Sequence, residues 1–201
     1  MRWLTFILFT GVFLALQTGL TTLWYVQSHD ITPSLLLILL VFIGLWAAPM
    51  KLVWAALILG LLVDLTTFWP QTGATGDLAI LGPSALGFLV GAYVCLQLRG
   101  LVFRDSTISM IFIVFGVGLF IHLAVVGVVT VRGWNIPGLP WLAGSPVRDW
   151  HPADELLSRF FRLLYTCALA MPVGWMLIKS RQLWGFNIST VPGLHPPRRN
   201  P

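Results

Sequence analysis

Six stretches of about 17 to 25 mostly apolar residues, parted by short polar connections, run through the sequence. Each is long enough for a helix rising about 1.5 Å per residue to cross roughly 30 Å of hydrocarbon. A soluble core cannot hide that much apolar surface: of 201 residues 57% are hydrophobic and only 9% charged, against about 25% charged in soluble domains. Backbone polar groups find no water in lipid, so the stretches must be helices. The expected class is an all-α integral membrane protein, a bundle of six transmembrane helices at about residues 3–26, 31–48, 51–69, 78–98, 107–131 and 156–178. They form a single domain over residues 1–184. The first block is too long for a signal peptide and lacks a small-residue cleavage site. Pro33 stands in the first turn of helix two, where a missing N–H costs little, and Pro49 closes that helix.

Basic residues resist translocation and collect on the cytoplasmic side. Alternating connections put eight of the 12 (Arg2, Lys51, Arg99, Arg104, Lys179, Arg181, Arg198 and Arg199) on one side, and four (Arg132, Arg148, Arg159 and Arg162) on the other. Both termini are therefore expected inside. The net charge of +5 and pI near 9.9 reflect this topology signal rather than a nucleic-acid face, since no segment alternates basic with aromatic residues. The outer connection 132–155 carries Gly133, Pro137, Gly138, Pro140 and Gly144 among Trp134, Trp141 and Trp150. Tryptophan favours the headgroup region, so a lid on the outer surface is expected. Residues 185–201, rich in Pro and polar residues, read as a disordered cytoplasmic tail, where the sequon at Asn187 is a chance match.

Ionisable residues inside apolar blocks are costly unless paired or hydrated. Asp64 falls roughly 20 Å along helix three, His122 roughly 22 Å along helix five, and Arg162 roughly 9 Å below the outer end of helix six. Asp64, His122, Arg159 and Arg162 thus share the outer third as an intramembrane polar cluster. Arg159 and Arg162 project from one helix face at i, i+3, and an ion pair from Asp64 to one of them is expected to pin helix three to helix six. Gln17, Thr10, Thr18, Thr21 and Thr22 make part of helix one polar and turn it toward the bundle. Two small-residue rows offer close helix contacts, Ser84-Gly87-Gly91 on helix four and Gly11-Ala15-Gly19 on helix one. Internal packing and a partner's helix are both open for them. Cys95 and Cys167 lie in apolar blocks and imply neither a disulfide nor a zinc site. No phosphate-binding loop, metal-ligand cluster, nucleophile elbow or second intramembrane carboxylate is present in the sequence. No cofactor and no enzymatic activity are expected.

Three segments carry a family resemblance: residues 33–42 (PSLLLILLVF) opening helix two, residues 60–65 (GLLVDL) of helix three, and residues 81–87 (LGPSALG) opening helix four. In order and spacing they resemble the bacterial rod shape-determining protein MreD, over roughly residues 1–130, with Gly60 and Asp64 as characteristic positions. The Trp- and Pro-rich outer loop and the tail depart from that pattern. The resemblance implies a non-enzymatic scaffold subunit of the cell-elongation machinery in the bacterial cytoplasmic membrane. Its implied partners are MreC and, through it, MreB, the RodA glycosyltransferase and a penicillin-binding transpeptidase of lateral-wall peptidoglycan synthesis. That family is also similar in fold to the substrate-binding S component of energy-coupling factor transporters, which implies the alternative function of a vitamin-like small-molecule binding subunit.

Overall fold

The computed structural model describes residues 2–23, 32–70, 77–100, 106–132 and 150–185. The expected outer lid, apart from its ends, and the expected tail lie outside the described residues. Six α-helices follow one another: α1 (Trp3–Leu23), α2 (Leu35–Trp46), α3 (Pro49–Thr66), α4 (Pro83–Leu98), α5 (Thr107–Arg132) and α6 (Pro152–Lys179). A 3-10 turn, Ser180–Trp184, extends α6. Among the described residues three spans are long and apolar enough to cross a membrane, namely α3, α5 and α6 with its extension. The stretches Trp3–Gly19, Leu35–Trp46 and Pro83–Leu98 are apolar but shorter. The chain is a helical membrane protein.

The centre of the bundle is α2. Every residue from Leu35 to Leu45 is buried, and α2 touches all five other helices. No polar face is needed on a helix surrounded by protein. With 12 residues it is about 18 Å long, and residues 32–34, expected in its first turn, are not helical, Ser34 being extended. The surrounding helices show one buried stripe each. On α5 the stripe is Met110, Ile113, Val114, Val117, Gly118, Ile121 and Val125, and on α6 it is Arg159, Leu163, Thr166, Ala170, Gly174 and Leu177. Both follow the three- and four-residue spacing of a helix face.

Basic residues gather at one end of the bundle. The Arg2 N–H donates to the Trp184 carbonyl (2.9 Å), Arg99 donates to the Ala47 carbonyl at the carboxyl end of α2 (3.2 Å), and the Arg181 guanidinium lies 4.6 Å from the Trp46 ring centroid. A cation at a helix C-terminus meets the negative end of the helix dipole. Trp184, fully buried, closes this end between Phe9 (4.9 Å) and Phe42 (5.2 Å).

At the opposite end the bounds of α3 and α4 differ from those expected. Instead of continuing α3 to residue 69 and starting α4 at 78, the chain forms a short antiparallel hairpin, β1 (Phe68–Pro70) with β2 (Asp77–Ala79). The cause is Asp64. Its carboxylate accepts the backbone N–H groups of Gly82 (2.8 Å), Ser84 (2.9 Å) and Ala85 (3.2 Å), which ties the end of α3 to the start of α4. The intervening residues must double back. Gly82 supplies the necessary positive φ of 117°. One turn below Asp64, Gly60 lets the two backbones meet: a Cβ there would lie 2.5 Å from Ala85 Cα and 2.9 Å from the Ser84 carbonyl.

Candidate functional site

The expected ion pair between Asp64 and the arginines of α6 does not form. Asp64 is buried at 3% exposure, and both its oxygens are spent on the amino end of α4, whose unpaired N–H groups and positive dipole satisfy a carboxylate without a cation. Arg159 instead pairs one turn back along its own helix with Glu155, Nε to Oε1 at 2.7 Å. What pins α3 is therefore its sequence neighbour α4, and not α6.

Three of the four residues of the expected cluster do converge. Arg159, Arg162 and His122 line one chamber of about 890 Å³ in the half of the bundle away from the basic end. Ser84, whose N–H is held by Asp64, contributes to the same wall. The chamber also receives Gln17 and Thr18 from α1, Thr32 and Ser34 from the entry to α2, and Thr66 from α3. Its apolar floor is Leu37, Val63, Phe88, Ile121 and Val125. Among the described residues, no acidic side chain lines it.

Each polar group is placed by its element. On α1, Phe6, Thr10 and Phe13 are buried at helical spacing and the next position on that face is Gln17, which brings its amide to the chamber, as the polar face of helix one foretold. On α6, Thr166 is 1% exposed and works in both directions. Its hydroxyl donates to the Arg162 carbonyl (2.8 Å) and accepts the Ser34 N–H (3.0 Å). The amino end of α2 is thereby fixed to the helix that carries the arginines. Sequence reasoning passed over Thr166, Thr32 and Ser34. The available signal was spacing, because Thr166 stands i+7 from Arg159 and i+4 from Arg162.

Among the described residues, the buried His122 Nδ1 and Gln17 Oε1 of the chamber find no hydrogen-bond partner. Such an atom costs about 1 to 3 kcal/mol if left unmet, and in this open chamber water can reach both. Among the described residues no group of His, Cys, Asp or Glu has metal-holding geometry. Cys95, fully buried, lies against α2 with its thiol 4.0 Å from the Val41 carbonyl, and it packs as a small apolar residue.

The two small-residue rows have opposite fates. Gly87 and Gly91 are buried against α5, where added Cβ atoms would come within 2.8 Å of Val125 Cγ2 and 2.5 Å of Ile121 Cγ1. That row is internal packing. A Cβ added at Gly11 or Gly19 would meet nothing within 4 Å among the described residues, and both glycines are exposed, as is Ala15 between them. Comparison of the chain with protein-family models, with curated proteins and with solved structures finds no match in any of the three.

Proposed function

We propose that the chain is a six-span scaffold subunit of the bacterial cytoplasmic membrane, with both termini inside, that acts without catalysis by holding a partner's transmembrane helix. The observation that carries this reading is the outward row Gly11-Ala15-Gly19 on α1. This helix lies at the edge of the bundle, packed on α2 and the 3-10 turn. Exposed Ile7, Leu8, Val12 and Leu16 flank the row. Small residues four apart allow a second helix to approach closely, the usual driving force for association in lipid. The resemblance of residues 33–42, 60–65 and 81–87 to MreD supports a partner of the MreC kind and a place in lateral-wall peptidoglycan synthesis. The test is Gly11→Leu with Ala15→Leu: copurification of MreC from native membranes should be lost while the thermal stability of the purified chain is kept. Undiminished MreC recovery removes α1 as the docking face.

The chamber favours a second reading, a small-molecule binding subunit of an energy-coupling factor type transporter. A pocket with an apolar floor and a few convergent polar groups is what such a subunit needs. That reading requires an ATPase and a coupling subunit to copurify with the chain.

A further inference from the structure

We propose that the basic end of the bundle binds anionic phospholipid headgroups through a ring of paired tryptophans and cations. The inference goes beyond the scaffold reading and rests on it only to name the leaflet as the cytoplasmic one. On α1 Arg2 stands beside Trp3, on α3 Lys51 stands three residues before Trp54, and on α6 Lys179 stands four residues after Trp175. All three tryptophans are exposed, at 42%, 51% and 56%, and so are the three cations. Residues three or four apart share one helix face. The Lys179 Nζ lies 3.7 Å from the Trp175 ring centroid, a cation–π contact. In each pair the tryptophan is the member nearer the middle of its helix, by about 4.5 to 6 Å for the two lysines. A bilayer sets the same order, with indole rings at the boundary of headgroup and hydrocarbon and cations beyond them among the phosphates.

Charge favours an anionic lipid over a neutral one. Among the described residues no acidic side chain lies at this end, since Asp64, Asp77, Asp154 and Glu155 all belong to the other. On the six-span reading the sequence places eight basic residues and one acidic residue, Asp105, on this side, so a single side-chain carboxylate leaves a large excess of positive charge. Arg99 and Arg181, turned inward onto the Ala47 carbonyl and the Trp46 ring, add to the positive potential at the same level. Because α3 packs on α2 and α4 while α6 packs on α2 and α5, the pairs are spread round the bundle rather than gathered in one pocket. Each pair takes its own headgroup, and each lysine or arginine near an anionic surface strengthens attachment about fivefold.

The experiment uses the full chain in nanodiscs of phosphatidylcholine mixed with phosphatidylglycerol, and the lipids retained after detergent extraction are counted by native mass spectrometry. Phosphatidylglycerol should be retained in preference. With two of three pairs weakened about fivefold each, that preference should fall about twofold in Lys51→Gln/Lys179→Gln, and about fivefold when Arg2→Gln is added. Lys51→Arg/Lys179→Arg, which keeps the charge, and Arg132→Gln at the opposite end should leave it unchanged, while raised salt should weaken it. Should the triple variant fold poorly, the double variant, whose lysines are both exposed, carries the test. Equal retention of the two lipids overturns the proposal, as does a preference that survives the double variant or that Arg132→Gln lowers as much. Copurification of MreC is read separately in native membranes, so the scaffold and the lipid surface can each fail without the other.

Discussion

Replacing Asp64 separates the helix-capping role from the ion pair that sequence spacing suggested. In Asp64→Ala three buried or half-buried N–H groups, those of Gly82, Ser84 and Ala85, lose their acceptor at once. A lost cap costs about 0.5 to 2 kcal/mol, the charge at the helix start up to about 2 kcal/mol, and each orphaned buried donor about 1 to 3 kcal/mol. These contributions overlap, so the expected loss is about 3 to 5 kcal/mol. Asp64→Asn should cost less, about 1 to 3 kcal/mol, because one carbonyl oxygen at the Oδ2 position still accepts from Gly82 and Ala85 while the amide N–H₂ faces the Ser84 donor. The assay is reversible unfolding in mixed micelles, read by tryptophan fluorescence, on wild type, both variants, Arg162→Gln and the double variant Asp64→Ala/Arg162→Gln. Capping predicts an Asp64–Arg162 coupling energy below about 0.5 kcal/mol, the additivity expected of groups that share no contact. A coupling above about 1 kcal/mol, with Asn no milder than Ala, would refute the capping account and restore the ion pair.

Gly60→Ala should destabilise by about 1 to 3 kcal/mol in the same unfolding assay, since its Cβ meets backbone atoms of α4 at 2.5 and 2.9 Å. Gly91→Ala should cost less, because the obstacle is the movable Ile121 side chain. Gly11→Ala and Gly19→Ala, whose added Cβ would meet nothing within 4 Å among the described residues, should leave the isolated chain unchanged or up to about 1 kcal/mol more stable, and a loss of stability would contradict the outward placement of that row. Trp184→Ala empties the site between Phe9 and Phe42 and should cost about 3 to 5 kcal/mol, with protease cleavage near the start of α1 appearing first. Thr166→Val removes the link from Ser34 to α6 and should lower stability by about 1 to 2 kcal/mol, measured by the same unfolding curves.

What the sequence made legible follows from how lipid constrains a chain. Apolar block length located α1, α3, α5 and α6, because spanning hydrocarbon requires it. The expected start of α2 at residue 31 lies four residues before the observed one, since Pro33 is as compatible with a first helical turn as with the non-helical stretch at 32–34. The hairpin at residues 68–79 was missed because it arises from a tertiary contact, the carboxylate of Asp64 on the amino end of α4. The same contact explains the Asp64 misreading: an acid in a membrane block suggests a cation, yet a helix start is an equally good partner and leaves no charged signature in the sequence. Burial depth did bring His122, Arg159 and Arg162 to one chamber. Thr32 and Ser34 at the entry to α2 also line it and Thr166 ties Ser34 to α6, and none of these is visible from side-chain charge. For the small-residue rows, spacing alone could not tell Gly87 and Gly91, packed on α5, from Gly11 and Gly19, turned outward, because the motif is identical on either face.

The most direct test of the scaffold reading is affinity purification of the tagged chain from native membranes in mild detergent, with identification of the copurifying proteins. MreC together with the wall-synthesis enzymes is the expected recovery, and Gly11→Leu with Ala15→Leu should abolish it. Recovery of an ATPase and a membrane coupling subunit in their place would contradict the scaffold and make the chamber the binding pocket of a transporter.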